Sequence, residues 1–260
     1  MQIRFHKYQG TGNDFVLVDD RENRFPEHDK KLIERICDRH FGIGADGLML
    51  LRNEPGYDFR MVYFNSDGAQ SSMCGNGGRC ICRFAVDLGI VKASEIKFIA
   101  VDGPHHAFIN DDHVQLKMRD VQQATLTGSD YFLDTGSPHV VRFMSDVSAL
   151  NVYAAGREVR YSPTFAEVGT NVNFVEVMGQ NLFVRTYERG VENETLSCGT
   201  GVTAAALAAS LHGMAPESGS IAVETPGGSL QVHYHRRNGG FDDIWLEGPA
   251  RFVFQGEITV

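Results

Sequence analysis

A short phrase occurs twice in this chain of 260 residues, and it constrains the fold more than any other feature. Ser72-Met73-Cys74-Gly75-Asn76-Gly77 runs into an apolar-periodic helical pattern, and Ser197-Cys198-Gly199-Thr200-Gly201 does the same 124 residues later. Self-similarity of this kind points to two halves built alike. In each copy a thiol stands beside unshielded backbone amides at a predicted helix N-terminus, where unpaired N–H groups and the helix dipole stabilise a thiolate or a carboxylate. Two such places predict two thiols that share one acid–base task.

The rest of the composition narrows the class. Hydrophobic residues make up 42% and charged residues 22%, as in globular proteins, and no segment approaches the roughly 18 apolar residues of a membrane span. Met1 to Lys7 lacks the apolar stretch of a signal peptide, so the cytoplasm is the expected location. Five cysteines, an odd number thinly spread, fit reduced thiols better than a disulfide scaffold. A net charge of -9 carries no basic footprint for nucleic acid or an anionic membrane, which leaves a small zwitterionic molecule as the expected partner, with a homodimer allowed for.

Periodicity places these motifs on elements. Ile3 to Tyr8 and Phe15 to Asp19 read as strands around a glycine-rich turn with Asn13 at its tip. Asp29 to His40 reads as a helix, Leu48 to Leu51 and Arg60 to Phe64 as strands, with Asn65 at a strand end. Gly42 to Gly47 matches GxGxxG, but a dinucleotide fingerprint follows a strand and opens a helix, and here both flanks are reversed. Ile81, Phe84, Ala85 and Leu88 predict a helix over about 75–88 with Arg79, Arg83 and Asp87 as its polar stripe, and Gly89 as its stop. The second copy continues from Val202 to Leu211 as small apolar residues nearly all round, suited to a helix enclosed by sheet. Further strands are expected at Lys97–Val101, His113–Met118, Asn173–Val177, Leu182–Tyr187, Ile221–Glu224, Leu230–His235 and Arg251–Phe254, the last pairing back with the first half.

An isolated cysteine is most often a small buried hydrophobe, and Cys37, Cys80 and Cys82 are read that way. Cys74 and Cys198 differ, because a buried structural cysteine has no use for Gly-polar-Gly directly after it. A metal site joining Cys74, Cys80 and Cys82 is disfavoured, since residues two apart on a helix point about 200° from each other. His139, in Gly136-Ser137-Pro138-His139, and Glu188-Arg189-Gly190 are on composition alone more often structural or solvated than functional. A cysteine hydrolase with His139 as base, and a non-catalytic protein with core cysteines, stay open at this level.

At these residues the chain resembles the diaminopimelate epimerases along nearly its whole length. The resemblance rests on Gly12-Asn13-Asp14-Phe15, Phe64-Asn65-Ser66-Asp67-Gly68, Cys74-Gly75-Asn76-Gly77-Gly78-Arg79-Cys80, Pro138-His139, Thr170-Asn171-Val172, Tyr187-Glu188-Arg189-Gly190 and Cys198-Gly199-Thr200-Gly201. It implies an α+β fold of two pseudo-symmetric domains, each a barrel-like, mostly antiparallel sheet wrapped around a central helix, with the active site in the cleft between them. The expected halves are 1–117 with a returning strand 251–260, carrying Cys74, and 118–250, carrying Cys198. It implies a cofactor-independent isomerase, with no metal, that converts LL- to meso-diaminopimelate for lysine and peptidoglycan synthesis. A related two-thiol racemase acting on another amino acid is the alternative.

Chemistry supports the same roles. Inverting an α-carbon requires a base on one face and an acid on the other, and one thiolate with one thiol, Cys74 and Cys198, suffices. The charge developing on the carboxylate would meet the amides of Gly75, Asn76, Gly199 and Thr200. By the resemblance, Asn13, Asn65, Asn171, Glu188 and Arg189 bind the substrate's amino and carboxyl groups, and His139 and Glu188 tune thiol protonation. Two positions depart from the pattern: Ser137 stands where many members have Asn, and Gly47 where many have Gln. Both concern recognition rather than the reacting carbon.

Overall fold

The computed structural model describes residues 1–260, which divide into two compact units, Met1–Leu116 with Pro249–Val260, and Lys117–Gly248. In the first unit, β1 (Gln2–Gly10) and β2 (Asn13–Asp19) form a hairpin. Its two-residue turn is Thr11-Gly12, both with positive φ (50° and 84°), the geometry of a tight hairpin turn. Asn13 is therefore not at the tip: it is the first residue of β2, opposite Gly10. Helix α1 (Lys30–Cys37) is capped by Asp29, whose side chain accepts from Leu32 N. It stops short of the predicted His40 because the Asp38 carboxylate takes the N–H groups of His40 and Phe41, and Asp38 itself is extended.

The sheet continues through β3 (Gly47–Arg52), parallel to β2, then β4 (Phe59–Asn65), antiparallel to β3, and the short β5 (Gln70–Ser71). After α2 (Gly75–Asp87) the chain returns as β6 (Glu95–Ala100), parallel to β4, and closes through β7 (Gly103–Asn110) and β8 (His113–Lys117). The C-terminal strand Arg251–Thr259 lies antiparallel to β1, from Gln2↔Thr259 to Gln9↔Arg251. Strand residues 15–18 and 48–51 are buried on both faces. Val16, Val18, Leu48 and Leu50 join Ile33 and Ile36 of α1 in one core, while Phe15 and Met49 meet α2 at Gly77. Such strands read as continuous apolar runs rather than alternating ones.

The second unit repeats this plan. Behind β9 (Ala124–Thr127), strands β10 (Asp130–Asp134) and β11 (Pro138–Phe143) are antiparallel, and β12 (Asn171–Met178) is parallel to β11. Strand β13 (Asn181–Glu188) and the short β14 (Asn193–Thr195) precede α4 (Gly199–Leu211). The chain then runs through β15 (Gly219–Thr225), parallel to β13, β16 (Gly228–Arg237) and β17 (Gly240–Pro249). Helix α3 (Val152–Arg160), which periodicity did not reveal, takes the place of α1. It starts at the Asn151 cap and lays Gly156 on Tyr187, closely enough that a Cβ there would meet the ring at 2.5 Å. The order antiparallel, parallel, antiparallel, helix, parallel is thus shared, and α+β with two like units describes the chain.

The central helices differ in how their sequences show this. Helix α4 is buried from Val202 to Ser210 on every side, and its alanines let the surrounding strands approach. In α2, Arg83 and Asp87 form an i,i+4 pair at the surface, but Arg79 is 0% exposed and is no part of a polar stripe. Gly89 (φ 69°) and Gly213 (φ 76°) follow the two helix ends in the left-handed region, as expected of helix stops. No helix is long and apolar enough to cross a membrane.

Candidate active site

Both repeated phrases begin their helices in the same way. Cys74 is the N-cap of α2 and Cys198 the N-cap of α4, each with extended backbone (φ -101°, ψ 138° and φ -117°, ψ 110°) and no side-chain capping bond. An N-cap that leaves the first-turn amides uncapped keeps them for another acceptor. Those amides belong to Gly75, Asn76 and Gly77 in one unit and to Gly199, Thr200 and Gly201 in the other. The remaining cysteines behave as core: burial pushes the Cys37 and Cys80 thiols up to about 12, and Cys82 higher still.

In the first unit a polar chain leads to Cys74. Its Sγ lies 3.7 Å from Asn13 Oδ1, which also accepts from Asn76 Nδ2 (3.3 Å). Asn13 Nδ2 donates to Asp46 Oδ2 (2.5 Å), so the amide's orientation is fixed from both ends. Asp46 and Asp14 are clamped by Arg39 at 2.7 and 2.6 Å, and Lys7 pairs with Asp14 at 2.7 Å. Burial alone would push the Asp14 carboxyl up, but hydrogen bonds from Arg39 and Lys7 hold it at about 2. Behind Asn76, Arg79 donates to Asn76 Oδ1 (3.0 Å), Thr11 Oγ1 (3.3 Å) and Gly75 O (3.3 Å). Asn65 ends β4 opposite Gly47, the first residue of β3. Gly47 cannot carry a side chain, since a Cβ would sit 2.5 Å from the Tyr63 ring and 2.6 Å from Phe64 O.

The equivalent strand ends in the second unit carry His139, Asn171 and Glu188. Asn171 opens β12 where Gly47 opens β3, and here the side chain is the hub. It donates to Ser137 Oγ (2.9 Å) and Pro138 O (3.0 Å), and accepts from Arg189 N (2.9 Å). Arg189 reaches Ser137 Oγ at 3.4 Å and Val168 O at 3.1 Å, and forms no ion pair. A guanidinium without a carboxylate keeps its fork for one. Glu188 accepts from Thr195 Oγ1 (2.8 Å), and Cys198 Sγ is 3.5 Å from Thr200 Oγ1. The turn before β11 is tied to the helix start by Thr135 Oγ1 donating to Thr200 O (2.9 Å).

His139 is fully buried, and burial, reinforced by the Arg189 charge, pushes its imidazole down to about 3. An imidazole held that far below its ordinary value is a very weak base, which weighs against a hydrolase that would use it as general base. The first unit also holds a recess of about 600 Å³ beside Glu27, Arg52, Glu54 and Arg60, away from Cys74. Its arginines are already paired, Arg52 with Asp20 and Glu27 and Arg60 with Glu54.

Each half-site thus has residues that the motifs alone did not mark. Asn173 holds His139 and Arg79 holds Asn76 from behind, and Thr186 holds Asn173 in turn. The signal for Asn173 is its polarity inside the apolar run Val172-Asn173-Phe174-Val175, where a strand interior has no water to offer it.

Two like α+β units, each wrapped around a central helix, define a class of fold that solved structures share. A phenazine biosynthesis protein of the PhzF family from Bacillus anthracis superposes with a TM-score of 0.77 over 100% of both chains at 14% identity. The family model described as diaminopimelate epimerase matches residues 5–123 and 131–253. A diaminopimelate epimerase from Flavobacterium psychrophilum is 49% identical over 98% of this chain and 100% of that one. Another, from Chlorobaculum tepidum, is 40% identical over 96% and 99%. The chain belongs to the diaminopimelate epimerase family and is an isomerase.

Proposed function

We propose that this enzyme interconverts LL- and meso-diaminopimelate by two-base proton exchange, with Cys74 on one face of the α-carbon and Cys198 on the other. The observation that carries this reading is the repeated geometry: two cysteines, each the uncapped N-cap of the central helix of its unit. One sulfur, as thiolate, takes the α-proton and becomes a thiol. The opposite thiol gives its proton to the other face and becomes the thiolate, so the carbon is inverted and the roles are exchanged. Between these steps negative charge spreads into the α-carboxylate, where the amides of Gly75, Asn76, Gly199 and Thr200 would receive it.

Arg189, with no internal ion pair, suits a substrate carboxylate, and Glu188 an ammonium group. Asn13, Asn65 and Asn171 would supply further orienting amides. His139, buried and neutral, acts on thiol protonation as a dipole rather than as a charge. The cytoplasm, where thiols stay reduced, suits such a pair. The product would feed lysine and peptidoglycan synthesis.

Deuterium uptake at the α-carbon in D2O tests the pair. Cys74→Ala and Cys198→Ala are each expected to abolish epimerisation while keeping the fold; full turnover by either variant overturns the two-thiol reading.

A further inference from the structure

We propose that Asn173 is a positioning residue of the Cys198 half-site: it fixes His139 as the tautomer whose proton is on Nε2. Asn173 is entirely buried in β12 and uses its amide fully. Its Nδ2 donates to Val140 O at 2.9 Å, and since a carbonyl only accepts, the amide cannot be turned over. The same NH2 group lies 3.1 Å from His139 Nδ1, which must therefore accept. Thr186 Oγ1 donates to Asn173 Oδ1 at 2.9 Å and holds the other end.

A neutral imidazole has a single N–H, and burial keeps this ring neutral. With Nδ1 accepting, the proton is on Nε2. That atom is buried and has no hydrogen-bond partner within the protein, so its N–H is left for a bound molecule. Its place is the half-site itself: His139 is paired with Asn171 across β11 and β12. Asn173 and Cys198 flank one glycine. A Cβ on Gly201 would fall on Asn173 Oδ1 and stand 3.4 Å from Cys198 Cβ. The last glycine of the second phrase is thus required by Asn173, not by backbone conformation.

The half-site consequently offers a neutral donor toward developing negative charge, and no base at that position. This function for the donor rests on the epimerase reading, whereas the tautomer does not. Nitrogen-15 NMR of the imidazole at pH 7, without substrate, reads the tautomer directly. The wild type is expected to favour Nε2–H by about tenfold or more, the value of one net hydrogen bond. Asn173→Ala is expected to give a tautomer mixture and to lower kcat about tenfold with KM changed less than about threefold, as for a lost transition-state interaction. Gly201→Ala, which pushes the amide aside from the opposite direction, is expected to give the same mixture. A wild-type ring protonated on Nδ1, or an unchanged tautomer ratio in both variants, or an unchanged kcat in a well-folded Asn173→Ala, overturns the proposal. The wild-type spectrum needs no variant and no turnover, so its failure is distinct from a failure of the two-thiol reading.

Discussion

Arg79 and His139 show how burial changes what a titratable residue does. Arg79 brings a guanidinium into the first unit with no carboxylate beside it, and donates through its two terminal nitrogens to Asn76, Thr11 and Gly75. Its burial lowers its pKa, and its role is to hold the amides that reach Cys74. His139 carries a measurable consequence. Its pKa of about 3 in the folded state lies below the ordinary value of 6.5, so between those pH values the unfolded chain binds a proton that the native state refuses. Stability is therefore lost as pH falls from 6.5 toward 3, at up to about 1.4 kcal/mol per pH unit from this one group. Urea midpoints of wild type and His139→Gln between pH 7 and 4 should show a shallower decline in the variant. Neither burial could be read locally, because Arg79 sits at a helical position that alternation marks as polar and His139 follows an ordinary turn.

At the level of elements, legibility followed how much each one relies on its own residues. Helices α2 and α4 were readable because their apolar positions recur over three turns and a glycine closes each. Strand β3 was readable as an apolar run and β4 from its alternation. Helix α3 was not: only Val152 and Gly156 of it are buried, and its fit depends on Tyr187 from a distant strand. Strands β10, β11 and β17 were also missed, their short alternations being interrupted by charges that pair across the sheet, as Arg142 does with Asp130 at 2.7 Å. The helix α4 is where packing is least forgiving. Ala205 is wholly enclosed, so Ala205→Leu is expected to cost about 1–3 kcal/mol by overpacking, read as a lower denaturant midpoint. An apolar substitution at an exposed position would do no such harm.

Across the whole molecule, the chain's two ends are part of one sheet. The C-terminal strand covers β1 along its full length, with Phe254 edge-on to Phe5 at 5.9 Å and Gly256 against the same ring. Ending the chain after Ala250 would leave the outer edge of β1 unpaired and uncover Ile3 and Phe5. Hydrogen exchange of the β1 amides is expected to rise by about tenfold or more in that variant, since each unpaired amide loses its protection. Protection of α4 in the second unit is the internal control.

By itself the sequence determined the repeat, the two cysteine-headed helices, the strand-rich character of each half and, through its motifs, the family. These are local or periodic properties, written wherever a helix or strand must hide one face or expose a cap. Only the tertiary structure decided which polar residues serve the half-sites from within. Asn173 pins His139, Arg79 holds Asn76, Tyr63 fills the space above Gly47, and Gly201 is bare because Asn173 needs the room. Each depends on a contact between residues far apart in the chain, and a buried polar group gains its meaning from the partner that satisfies it.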